Sequence, residues 1–138
     1  VEVQLTGRNN SVEVRLGLLL ANVPELIEAL VASKARSYCV ISAPDGRYVQ
    51  FRALETELLV EVMANEFMKT APRTTPVGEA RLAELGFTAP TESISPNWHY
   101  VVTTAPQRFA AAGALSDVLL QIWGLSPASI VTLKSWAE

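Results

Sequence analysis

The sequence predicts an α+β fold, an antiparallel sheet made of a three-strand meander plus further strands and flanked by helices. Two observations carry this. Residues 37–65 read as three consecutive strands whose pairing follows from parity alone, and the segments on either side repeat apolar residues at helical spacing.

The meander hangs on Pro44-Asp45-Gly46. Proline presets φ at one corner, aspartate tolerates the next, and glycine takes the left-handed position of a bulged hairpin. Ala43 then faces Arg47, and counting outward pairs Ile41 with Val49 and Cys39 with Phe51 on one face. The other face pairs Ser42 with Tyr48, Val40 with Gln50 and Tyr38 with Arg52. Closing the next hairpin at Glu55-Thr56 pairs Phe51 with Val60 and Val49 with Val62, and on the second face Gln50 with Glu61 and Tyr48 with Met63. One face is continuously apolar. The other mixes Tyr38, Val40, Tyr48, Leu59 and Met63 with Gln50, Arg52 and Glu61.

Upstream, Val1, Val3 and Leu5 alternate with polar residues, as do Val12, Val14, Leu16 and Leu18 beyond a turn-prone Gly7-Arg8-Asn9-Asn10. That pattern fits a hairpin, while residues 17–21 also fit a helix start. Asn22, Pro24 and Glu25 have the spacing of an N-cap, a first-turn proline and a reciprocal capping partner, predicting a helix over 23–35. Val23, Leu26, Ile27, Leu30 and Val31 form its apolar stripe, and Lys34 and Arg36 suit its C-terminal dipole.

Downstream, Phe67 and Met68 anchor a short turn within residues 65–74. Thr75 caps a helix opened by Pro76, with Leu82 and Leu85 inward, Gly86 as left-handed stop and Phe87 folded back on Leu82. Pro90 and Pro96 make residues 88–97 a loop, and residues 98–103 a fourth strand with Trp98, Tyr100 and Val102 on one face and Val101 on the other. Thr104, Pro106 and Gln107 start a long helix whose stripe is Phe109, Ala112, Leu115, Leu119, Ile122 and Trp123. Gly113 costs that helix about 1 kcal/mol unless close packing needs it, and the small side chains of residues 110–114 would let another backbone approach. Leu120, Trp123, Gly124 and Leu125 repeat the ending of the previous helix; after Ser126-Pro127, residues 130–136 form a last short strand.

Composition bounds the function. With 138 residues, 49% of them hydrophobic, the chain suits one domain spanning 1–138. A net charge of -3 provides no basic field for phosphates, so nucleic acid is not an expected partner. The apolar run over 16–21 is far below the roughly 20 residues of a membrane span. A single cysteine and no signal-like opening make the cytoplasm the expected compartment.

Catalytic chemistry is not visible. His99 is the only histidine and has no spaced carboxylate or cysteine partner, so it reads as a hydrogen-bonded structural residue at a strand start. Cys39, on the apolar face, reads as a small buried hydrophobe. Ser116 and Asp117 are adjacent on a helix and cannot face each other. No zinc, calcium or phosphate-loop spacing occurs, and neither metal, cofactor nor enzymatic activity is expected. The one polar pair with positional meaning is Gln50 and Glu61, whose amide and carboxylate meet across two strands on the face away from the first helix. That face is either solvated, with one useful cross-strand bond, or a binding surface. In the second reading Tyr38, Tyr48, Leu59 and Met63 offer apolar contact while Gln50, Arg52 and Glu61 fix orientation.

Tyr48-Val49-Gln50-Phe51, Leu59-Val60-Glu61-Val62 followed by Asn65, residues 82–87 with Pro90, Ser95-Pro96-Asn97-Trp98 and Trp123-Gly124-Leu125 together resemble the TY-Chap family, related to type III secretion chaperones and YbjN proteins. The resemblance runs from Val23 to about Leu125 and leaves residues 1–21 outside. It implies an antiparallel sheet flanked by helices, retention of the Gln50 and Glu61 positions, and a peptide-binding or chaperone role with a protein or peptide client. Secretion chaperones of that type usually dimerise, which makes a homodimer possible, although no heptad or other dimer signature occurs here. The alternative is a self-associating structural or regulatory module that packs through the Tyr48 and Met63 face or the 110–114 patch.

Overall fold

The computed structural model describes residues 10–33 and 36–137. Six strands, β1 (Asn10–Arg15), β2 (Ser37–Ser42), β3 (Tyr48–Ala53), β4 (Leu58–Val62), β5 (Trp98–Val102) and β6 (Ile130–Ala137), form one antiparallel sheet in the order β1-β6-β2-β3-β4-β5. The helices are α1 (Leu16–Ala32), α2 (Pro76–Glu84) and α3 (Ala105–Asp117). Their buried side chains share one core with Cys39, Ile41, Val49, Phe51, Val60 and Val62.

The meander has the predicted register, including Ile41 opposite Val49, Cys39 opposite Phe51 and Gln50 opposite Glu61. Ala43 N–H donates to Arg47 O at 2.7 Å and Gly46, at φ 93°, donates to Ala43 O. Asp45 adds a bond from the Arg47 backbone and a forked contact with its guanidinium, with Nη2 2.8 Å from Oδ2. Phe51, Val60 and Val62 are fully buried; a side chain such as Phe51 contributes about 3 kcal/mol by leaving water.

The first helix begins earlier than its sequence cap suggests. Asn22 is not the N-cap: its side chain donates back to Leu18 O at 2.7 Å, and Pro24 lies inside the helix. The start is fixed instead by remote carbonyls, Ser129 O accepting from Leu16 N and Pro127 O from Gly17 N, which satisfies orphan donors without a capping side chain. The buried stripe is Leu16, Leu19, Val23, Leu26, Ile27 and Leu30, whereas Val31 is 41% exposed. The expected strand at residues 1–5 and Lys34 lie outside the described residues; β1 pairs with β6.

The other two helices start as expected. Thr75 Oγ1 caps α2, Gly86 adopts φ 101°, and Phe87 N–H returns to Leu82 O. Thr104 and Gln107 form a full capping box on α3. Ala111, Ala112, Ala114 and Leu115 take its core face, then a π-helical turn over Val118–Ile122 re-phases the chain so that Val118, Leu119 and Trp123 are buried as well. Phe109, nearly opposite Ala111 on α3, is turned outward, 79% exposed, and Ile122 is only half-buried. The tail strand β6 is an interior strand, second from the edge between β1 and β2, which no local pattern indicated.

Candidate functional site

Parity that sends Cys39, Ile41, Val49, Phe51, Val60 and Val62 to the helices sends Tyr38, Val40, Tyr48, Gln50, Arg52, Leu59 and Glu61 to the opposite face. Strand β6 extends this face, because Trp136 pairs with Tyr38, Lys134 with Val40 and Thr132 with Ser42. The Tyr38 and Trp136 rings stack with centroids 5.1 Å apart and 12° between planes.

Glu61 is the centre of the polar part. It is 2% exposed, and its carboxylate accepts from Gln50 Nε2, Ser95 Oγ and Arg52 Nη2, the last at 3.2 Å. Arg52 Nε lies 3.1 Å from the second carboxylate oxygen but off the line of a hydrogen bond. The pair is asymmetric in exposure, with 31% of the Arg52 side chain open to solvent. A buried carboxylate held by three partners fixes the rotamers of the groups that reach the surface, here Gln50 and Arg52.

Residues 88–97 cover the β4 end of the face. Thr88 and His99 exchange two backbone bonds at the outer edge of β5, and Thr91 N–H donates to Ser95 O. Ser95 reaches Glu61; Asn97 accepts from Ala64 N–H at 3.0 Å and donates to Tyr48 Oη at 3.2 Å. Beneath this strap Leu59, Glu61 and Met63 are buried, while Tyr38, Tyr48, Gln50 and Arg52 are half-buried. Of the seven residues singled out in the sequence, those four offer surface. Glu61 supports them from below, Met63 belongs to the core, and Leu59 is shielded.

Sequence reasoning missed Trp136 and Lys134 because it did not place β6; the alternation of Val131, Leu133 and Ser135 with Thr132, Lys134 and Trp136 carried the signal. Ser95 and Asn97 were quoted only as part of a short motif, and their work as a strap is not a local property.

A model of the family described as T3SS (YopN, CesT) and YbjN peptide-binding chaperone 3, TY-Chap3, matches residues 13–137. The chain belongs to this family. The TY-Chap3 match extends beyond both ends of the resemblance read from the residues, taking in Glu13, Val14 and Arg15 of β1 and all of β6. Comparison with curated proteins and with solved structures returned no match. Within this TY-Chap3 fold, His99 is 2% exposed, with Nδ1 3.0 Å from Asn97 O and Nε2 buried without a hydrogen-bond partner among the described residues. Cys39 is fully buried, and burial pushes its thiol pKa up, away from nucleophilic use. Among the described residues no helix is long and apolar enough to cross a membrane.

Proposed function

We propose that the domain is a non-enzymatic peptide-binding chaperone or adaptor of the cytoplasm, and that its client lies on the strap-bordered face of the sheet. The observation that carries this is the combination of the stacked Tyr38 and Trp136 rings with Gln50 and Arg52 held in place by buried Glu61. An exposed surface that only met solvent would not need a buried anion to orient it. Rigid aromatics provide contact area at little entropic cost, and a fixed amide and guanidinium can recognise main-chain carbonyls of an extended segment. The family description agrees with a peptide client.

An array of random-sequence peptides tests this, probed with wild type and with a Tyr38→Ala, Gln50→Ala double variant of unchanged unfolding midpoint. Loss of the peptides bound by wild type supports the face; equal binding removes it and leaves a sheet edge or α3 as the binding element.

A second reading is supported by Phe109. Its exposed ring borders a cleft of about 200 Å3 between α1 and α3, lined also by Leu20, Pro24, Ala112, Gly113 and Ser116, where a second copy could dock to form a homodimer. Sedimentation at several concentrations separates the two, since a monomer throughout favours the client and a Phe109-dependent dimer favours self-association.

A further inference from the structure

The geometry points to a covered subsite beneath the middle of the strap, residues 89–96, a lid that a client lifts to place a hydroxyl or amide donor on Glu61 and His99. The inference rests on the peptide-binding role proposed above.

The lid is pinned at both ends and latched at one point. Thr88 and His99 exchange two backbone bonds at one end, and at the other Asn97 holds Ala64 N–H and Tyr48 Oη. Between these pins no side chain joins the apolar core, and Ala89, Pro90, Ile94 and Pro96 are exposed. The bonds from Thr91 N–H to Ser95 O and from Ile94 N–H to Thr91 Oγ1 lie within the lid, and Asn97 N–H donates to Ser95 Oγ at its hinge. Among the described residues, the one hydrogen bond from the lid to the sheet runs from Ser95 Oγ to Glu61. A segment fastened by one side-chain bond, with no apolar anchor, lifts at far less cost than unfolding the sheet.

A polar atom beneath the lid lacks a partner. Glu61 and His99 are opposite each other on β4 and β5 and so share a face, the helices pack on the other face, and each of the two is 2% exposed. Because a carbonyl only accepts, the bond between His99 Nδ1 and Asn97 O places a proton on Nδ1 and makes Nε2 the acceptor of the neutral ring. Nε2 is buried with no hydrogen-bond partner among the described residues. A buried acceptor without a donor disfavours the closed lid, and a donor that arrives as the lid lifts removes that penalty.

Lifting also frees the Glu61 oxygen that Ser95 holds, so the subsite presents two neighbouring acceptors. Arg52 already meets the Glu61 charge, which leaves a second cation without a counter-charge. The chemistry therefore selects a neutral donor, a serine or threonine hydroxyl or an asparagine or glutamine amide, of which Ser95 is the resident example.

The experiment uses the full chain. In native-state hydrogen exchange without peptide, the Thr91 and Asn97 amides should exchange with almost no dependence on urea, while those of β3 follow global unfolding. A shared urea dependence would overturn the lid. With the best-binding peptide of the array, Ser95→Ala removes the latch and should bind about fivefold tighter than wild type. The His99 Nε2 nitrogen, read by NMR, should shift as that peptide saturates, and replacing the hydroxyl and amide residues of the peptide by alanine one at a time should abolish the shift at one position. Unchanged or weaker binding by Ser95→Ala, or an Nε2 signal that ignores the peptide, would overturn the subsite. Local exchange in a chain that binds no peptide would remove the client reading and the subsite with it, whereas peptide binding without local exchange removes the lid alone.

Discussion

Ser95 donates its hydroxyl to the Glu61 carboxylate across 34 positions of sequence, closing a loop over a polar group that faces away from the core. The sheet thereby keeps a charge buried where its own strands supply only Gln50 and Arg52 as partners.

Glu61→Ala leaves the inner part of Arg52 and the Ser95 hydroxyl without their acceptor. The expected cost is about 2 to 4 kcal/mol, against about 1 kcal/mol for Ser95→Ala, which removes one hydrogen bond. Urea denaturation measures both. Equal, negligible effects would mean that the network does not hold the strap.

Phe51→Ala should cost about 3 to 5 kcal/mol and Val60→Ala less, since both are fully buried, while Tyr48→Ala loses the Asn97 bond and the packing of a half-buried ring and costs about 1 to 2 kcal/mol. If Tyr48→Ala were the most destabilising in thermal unfolding of the monomer, the assignment of faces would be wrong.

The two faces were legible because their cause is local. Pro44-Asp45-Gly46 sets one hairpin, and parity carries its register through Glu61 without knowledge of the rest of the chain. The caps at Thr75 and Thr104 were legible for the same reason. What was not legible depends on partners distant in sequence. The start of α1 is satisfied by Pro127 O and Ser129 O, the burial of Glu61 by the strap, and Trp136 reaches Tyr38 only because β6 inserts between β1 and β2. Phe109 misled because counting in steps of three drifts about 60° per step around a helix, and the core face of α3 centres on Ala111, Ala114 and Leu115, nearly opposite Phe109.

Gly113 and Gly86 should respond oppositely to alanine. A Cβ at Gly113 meets nothing within 4 Å in the interior of α3, so Gly113→Ala should stabilise by about 0.5 to 1 kcal/mol. At Gly86, φ is 101° and a Cβ would lie 2.7 Å from Tyr100 Cε2, so Gly86→Ala should destabilise by more than about 1 kcal/mol. Melting temperatures of the two variants check the pair.

Acid should weaken the first hairpin. Burial works upward on the Asp45 carboxyl, but hydrogen bonds from the Arg47 side chain and backbone, with its charge, outweigh that and hold it below the ordinary 3.8. Because the folded-state value is depressed, the contribution is present above 3.8 and lost as pH falls through the folded value. The stability difference between wild type and Asp45→Asn should be flat near neutrality and shrink below that point, staying under about 1 kcal/mol because Asp45 is partly exposed. A difference that instead grew on acidification would contradict the assignment.

The location of the client is tested most directly by NMR of the wild-type chain titrated with the peptide it binds best on the array. The account predicts that the Trp136 indole and the Gln50 side-chain amide shift together and saturate at one affinity, with the Gly113 amide of α3 unmoved. Shifts confined to Gly113 and its neighbours on α1 and α3, with Trp136 and Gln50 unchanged, would contradict it.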